Sequence, residues 1–146
     1  MTKKNVPKNR EKFSPSQKFI LLGEDDIDDQ EILEEVFSRI DPSLRLQFIN
    51  NGKKLVSHLE EVKDEQLPCL IILDYNMPEL NGAEILRNLN NNKRVKHVPK
   101  IIWSTSNAPA YRDICMELGA RDYLVKPSKI NALVDMAKRM LSYCGV

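Results

Sequence analysis

Residues 70–82 read LIILDYNMPELNG, and this stretch limits what the chain can fold into more than any other. Four consecutive apolar residues, Leu70 to Leu73, end at a carboxylate, Asp74. The polar run behind it, with its Pro and Gly, cannot continue a strand. A continuous apolar run is the pattern of a strand covered on both faces, so its exit is where a charged group meets water without leaving the structured core. Open α/β sheets place their chemistry at that edge.

The same plan recurs along the chain. Lys18 to Gly23 is a short apolar run ending in Glu24, Asp25 and Asp26, and Asp28 and Asp29 open a helical pattern with Ile32, Leu33, Val36, Phe37 and Ile40 on one face. Asp41-Pro42 stops that helix. Leu44 to Ile49 alternates as a half-buried edge strand, and Asn50-Asn51-Gly52 turns into a helix carrying Leu55, Val56, Leu59 and Val62. After the central strand, Asn81-Gly82 leads into a helix marked by Ile85, Leu86 and Leu89, followed by a polar surface connection over 90–97. Val98 to Ser104 is a strand ended by Ser104, Thr105 and Ser106. Ala108 to Leu118 has Tyr111, Ile114, Cys115 and Leu118 at helical spacing, with Gly119 as C-cap. Asp122 to Val125 is the last strand, ending in Lys126-Pro127. A final helix from Ser128 to about Tyr143 is predicted to bury Ile130, Leu133, Val134, Ala137, Met140 and Leu141.

Five strands alternating with five amphipathic helices imply an α/β fold with one parallel sheet, right-handed connections and helices on both faces. The 146 residues suffice for one sizeable core and not for two, giving a single domain over 18–146 behind a basic, flexible tail over 1–17. Residues 1–18 hold six Lys or Arg against one Glu, leaving 16 basic and 20 acidic residues for the body. Nothing resembles a nucleic-acid-binding motif, no apolar run spans a bilayer, and no apolar segment follows the basic N-terminus, so a cytoplasmic protein without nucleic-acid or membrane partners is expected. Cys69, Cys115 and Cys144, odd in number and widely spaced, suggest reduced thiols and neither a disulfide framework nor a zinc site.

In a parallel sheet all strand carboxyl ends share one edge, so Asp25, Asp74, Ser104 and Lys126 converge there. Paired carboxylates without His or Cys suit a hard divalent cation such as Mg²⁺. A Lys and a hydroxyl suit phosphoryl oxygens, and the nucleophile is then a carboxylate forming an acyl phosphate.

With ILLGEDD at the first strand, LDYNMPELNG at the third, a hydroxyl 30 residues after Asp74 and YLVKP with its Lys 22 residues further on, the chain resembles a response-regulator receiver domain of the chemotaxis CheY type from Lys18 onward. That resemblance implies a doubly wound (βα)5 sheet of order 2-1-3-4-5. It implies Asp74 as phosphoacceptor from phosphohistidine on a sensor histidine kinase or a histidine phosphotransfer protein. Glu24 and Asp25 become the acidic pair, with Mg²⁺ held by Asp25, the Asp74 carboxylate and the Asn76 backbone carbonyl. Lys126 binds a phosphoryl oxygen, Ser104 moves toward it, and Tyr123 turns inward behind Ser104. The family often has a cis peptide at the position of Lys126-Pro127, whereas the residues alone carry only the usual minority chance.

The implied role is a stand-alone phosphoacceptor switch that signals through protein contacts, onward relay or a homodimer. It is no enzyme beyond Mg²⁺-dependent phosphorylation and dephosphorylation of itself. The alternatives are a receiver-like module that binds proteins without phosphorylation, and a phosphatase of the haloacid dehalogenase type. The latter requires an Asp where this chain has Asn76. Four positions stand out against the family pattern. Gly23 stands where a large apolar residue is usual, which lets another group approach closely. Thr105 replaces a small residue and is expected to crowd the phosphoryl site, and Ser106 with Asn76 occupies the places that tune phosphoryl lifetime. Asp26, Asp28 and Asp29 read as cap and dipole residues, Trp103 as packing, and His58 and His97 as solvated.

Overall fold

A computed structural model describes residues 18–144, so the basic tail expected over 1–17 lies outside the described residues. Five strands, β1 (Phe19–Gly23), β2 (Arg45–Ile49), β3 (Leu70–Asp74), β4 (Lys100–Ser104) and β5 (Asp122–Val125), alternate with five helices. The helices are α1 (Ile27–Ile40), α2 (Gly52–Glu61), α3 (Gly82–Asn90), α4 (Pro109–Glu117) and α5 (Ile130–Leu141). A single 3-10 turn, Asp64–Gln66, lies between α2 and β3. The strands form one parallel sheet in the order β2-β1-β3-β4-β5, the doubly wound α/β arrangement anticipated above.

All residues of β1, β3 and β4 are buried because helices cover both faces, whereas edge strand β2 is only half-buried. Alternate strand residues divide the interior into two cores. Ile20, Leu22, Ile72, Ile101, Trp103 and Leu124 pack with Leu33 and Phe37 of α1 and Leu133 and Ala137 of α5. Leu21, Ile71, Leu73, Ile102 and Tyr123 pack on the other face with residues of α2, α3 and α4.

Several boundaries differ from expectation. Helix α1 begins one residue before Asp28, because Asp26 takes the N-cap and accepts the Asp29 N–H at 3.0 Å. Ile32 is exposed, turned away from the stripe formed by Leu33, Val36 and Phe37. In α4 only Cys115 is buried, while Tyr111 and Ile114 are each 42% exposed, because this nine-residue helix presents a single turn to the core. Ile130, in the first turn of α5, is likewise exposed. The connection over 90–97 is not wholly superficial, since Val95 is fully buried.

The reduced-thiol expectation is corrected for two residues. Cys69 and Cys144 form a disulfide, their Cα atoms 5.0 Å apart across a sequence separation of 75, because β3 and the end of α5 meet at the sheet edge opposite Asp74. Cys115 is the free thiol, and burial pushes it up to about 11. At the same edge, the Tyr143 hydroxyl donates to buried Asp122 Oδ2 at 2.8 Å, and Arg139 Nε lies 2.8 Å from that oxygen.

Candidate functional site

The strand register brings the site together. Gly23 pairs with Leu73 and Asp74 with Trp103, so Glu24, one residue past β1, lies beside Asp74, and Ser104 follows on the neighbouring strand. Glu24, Asp25 and Asp74 each bring a carboxylate oxygen within 4.8 Å of the others. Glu24 and Asp74 are buried, at 1% and 7% exposed, while Asp25 faces solvent. An all-oxygen donor set with one open flank fits a hard divalent cation and does not suit a thiophilic metal.

Asp74 is fixed at both oxygens. Its Oδ1 accepts the Asn76 backbone N–H at 3.1 Å, and its Oδ2 accepts from Lys126 Nζ at 2.9 Å. Lys126 also donates to Glu24 Oε2 at 3.2 Å and to Asp29 Oδ2 at 2.9 Å. An ammonium has three N–H donors, so all of them are engaged by carboxylates. Burial by itself would lower the Lys126 ammonium, but its hydrogen bonds to Asp29 and Asp74 and the charges of Asp74 and Glu24 outweigh that and hold it above its ordinary range. Glu24 is raised as well, which for a carboxyl favours the neutral form. Burial, then the hydrogen bond it shares with Asp74, pushes it from 4.5 up to about 7.

Ser104 is fully buried at the end of β4, where its Oγ accepts the Ser106 N–H at 3.1 Å. Its carbonyl accepts the Lys126 N–H at 2.7 Å, which ties the exit of β5 to the exit of β4. Tyr123 is turned inward and its hydroxyl donates to the Ser106 carbonyl at 2.8 Å. Thr105, just past the end of β4, is exposed. Lys126-Pro127 is trans, as are all peptide bonds among the described residues.

Two residues were read too modestly from the sequence. Asp29 does more than suit a helix dipole, since it shares the Lys126 ammonium with Asp74. Trp103 does more than pack, since its Nε1–H donates to Glu24 Oε2 at 3.1 Å and Lys126 Nζ lies 4.9 Å from its ring centroid. A signal for Trp103 did exist, because a Trp buried near the end of an apolar strand must find an acceptor, and the neighbouring strand exits offer acids. A further contact joins the loop after Asp74 to α4, with the Tyr75 and Tyr111 rings 5.0 Å apart. Of the two histidines, His97 is exposed, whereas half-buried His58 on α2 has its imidazole lowered by burial.

The room that Gly23 leaves is used by the loop after Asp74. A Cβ there would lie 2.6 Å from Met77 Cε, so Met77 occupies the space a larger residue would fill. Gly52 allows a closer approach, since a Cβ would lie 2.4 Å from the Leu80 carbonyl oxygen, and the Gly52 N–H donates to Pro78 O at 3.1 Å.

Comparison with known proteins identifies the family and the fold. A family model, described as the response regulator receiver domain, matches residues 20–138. The chemotaxis protein CheV2 of Helicobacter pylori is 32% identical over 127 residues, which cover 87% of this chain and 40% of that protein. The two-component response regulator ORR11 of Oryza sativa is 32% identical over 117 residues, covering 79% of this chain and 78% of the relative. Among solved structures, the Mn²⁺-bound form of response regulator Rcp1 aligns with a TM-score of 0.75 at 27% identity, over 86% of this chain and 92% of that one. Response regulator RPA3017, from red light signalling of R. palustris, aligns with a TM-score of 0.77 at 30% identity, over 86% and 92%.

Proposed function

Since the chain belongs to the response regulator receiver domain family, we propose that Asp74 is its phosphoacceptor and that it signals within a two-component or phosphorelay system. The observation that carries this reading is the placement of Asp74. A buried strand-end carboxylate has one oxygen held by a backbone N–H and the other paired with Lys126, beside two further acids.

An Asp74 carboxylate oxygen attacks the phosphorus of a phosphohistidine. A P–O bond forms, the P–N bond breaks, and the imidazole leaves with a proton. Lys126 neutralises charge on the transferring group, and hydrolysis later returns Asp74 and inorganic phosphate. Asp25, Asp74 and the Asn76 carbonyl would hold Mg²⁺, which supplies charge neutralisation at the phosphoryl oxygens. The Mn²⁺ in the Rcp1 structure supports a divalent cation at this acidic cluster. The chain thus performs chemistry on its own side chain and turns over no separate substrate. Its donor is a sensor histidine kinase or a histidine phosphotransfer protein, and its output is a protein contact, onward transfer or a homodimer. No helix among the described residues is long and apolar enough to cross a membrane. The cytoplasm is the compartment proposed for this reaction.

Ser104 and Tyr123 form the switch. A phosphoryl group on Asp74 draws the Ser104 hydroxyl from the Ser106 N–H, and Tyr123, hydrogen-bonded to the same residue's carbonyl, carries the change toward α4. Incubation with Mg²⁺ and acetyl phosphate is expected to add the mass of one phosphoryl group, acid-stable and base-labile, and Asp74→Asn abolishes it. No mass gain together with no beryllofluoride binding overturns the reading in favour of a protein-binding module that needs no phosphate.

A further inference from the structure

Resting on that phosphoacceptor reading, we propose that Trp103 is a positioning residue: its indole N–H locks the Glu24 carboxylate and its ring braces the Lys126 ammonium, which fixes the two groups flanking Asp74. Both Glu24 oxygens are held within the protein, Oε1 by the Asp26 N–H at 3.1 Å and Oε2 by the Trp103 Nε1–H at 3.1 Å. Lys126 Nζ meets that same Oε2 at 3.2 Å and stands 4.9 Å from the Trp103 ring centroid, inside the range of a cation–π contact.

One side chain therefore touches both the site lysine and one of its carboxylate partners, Glu24, from a position opposite Asp74 in the β3–β4 register. Phe or Leu would fill much of the apolar space around Ile20, Leu22 and Leu124 but neither donates an N–H. Without that donor, Glu24 Oε2 keeps Lys126 as its partner, and the ammonium shifts toward Glu24 and away from Asp74. A charge-assisted hydrogen bond to a buried carboxylate is among the stronger ones, so its loss alters geometry as well as energy. With both oxygens of Glu24 and both of Asp74 already accepting hydrogen bonds, exposed Asp25 is the acid of the three that faces an arriving cation from solvent.

Trp103 is the only Trp in the chain, so it can be replaced uniformly by benzothienylalanine, which keeps the bicyclic ring and substitutes sulfur for the N–H. Three quantities are then compared with the unmodified full-length protein: the Mg²⁺ dissociation constant by titration calorimetry, the ¹⁵N signal of Lys126 Nζ, and the melting temperature. The expected result is Mg²⁺ binding weakened about tenfold, the usual scale for losing an outer-shell partner. The Lys126 signal shifts and the melting temperature is unchanged. Trp103→Phe shows the same loss of Mg²⁺ affinity with a lower melting temperature. An analogue that matches the unmodified protein in Mg²⁺ affinity and Lys126 signal overturns the inference and leaves Trp103 a packing residue, while the phosphoacceptor reading stands. An unmodified protein that neither binds Mg²⁺ nor takes a phosphoryl group overturns both.

Discussion

Lys126 and Asp29, 97 residues apart, meet at 2.9 Å, the same distance that separates Lys126 from Asp74. The site lysine is thus shared between a first-turn residue of α1 and the proposed phosphoacceptor. Every ammonium donor is taken, so an incoming phosphoryl oxygen has to displace a carboxylate, and Asp29 competes for the place. Asp29→Asn removes that competitor and one negative charge facing an anionic donor. Phosphorylation by acetyl phosphate is expected to quicken about threefold, the scale of one screened charge. Stability falls by less than about 1 kcal/mol because Asp29 is partly exposed. A stopped-flow rate at or below that of the unaltered protein would sink the idea.

The carboxyl of Glu24, pushed up to about 7 by burial and then by Asp74, makes stability depend on pH in a definite direction. A carboxyl raised in the fold binds its proton more tightly when folded than when unfolded. Its contribution is complete below about 4.5 and is lost as pH climbs through about 7. In metal-free buffer this term amounts to something on the order of 3 kcal/mol. Urea denaturation at several pH values should show the unaltered protein losing stability relative to Glu24→Gln between about pH 5 and pH 8. Added Mg²⁺ restores part of the loss at the upper end. A difference that grows in favour of Glu24 as pH rises contradicts this account.

Gly23 and Met77 are complementary in size. Introducing Val at position 23 drives its side chain into Met77 and Leu55, and overpacking of this kind costs about 1–3 kcal/mol. Met77→Ala in the same chain frees the space, so the double variant should be more stable than the two single losses summed. Strict additivity in a double-mutant cycle would show that the two residues do not share the space.

The Cys69–Cys144 bond closes a long loop, and such a bond stabilises by about 2–4 kcal/mol. A reductant opens such a bond and removes that contribution. Dithiothreitol is expected to lower the denaturation midpoint of the unaltered protein and to leave Cys144→Ser unaffected. Equal midpoints with and without reductant would rule out a stabilising disulfide.

The fold is legible in the sequence because each strand is a short apolar run with a polar exit. Parallel topology then carries Asp25, Asp74, Ser104 and Lys126 to one edge without further information. Less legible are contacts decided by which neighbour stands across the sheet. Periodicity tells which face Trp103 occupies but not that its N–H meets Glu24, 79 residues away. The acids of α1 read as dipole partners because their relation to Lys126 depends on how α1 docks, and the cysteine pair was missed because spacing along the chain says little about spacing in a folded sheet. The α4 stripe failed for a different reason. Helical spacing marks residues able to be buried, and a short helix at the periphery covers only some of them.

The loop after Asp74 is gripped unequally on its two sides. Toward α2 it meets main chain and filled space: Gly52 against Pro78 and Leu80, and Met77 seated over Gly23. Toward α4 it meets a pair of tyrosine rings, and α4 itself starts without a side-chain cap and buries one residue. In mechanical terms the loop has a stiff flank and a compliant one. On this geometry, a displacement arising at Asp74 meets backbone on the first flank and a ring contact on the second, so it is expected to pass toward α4 more readily than toward α2.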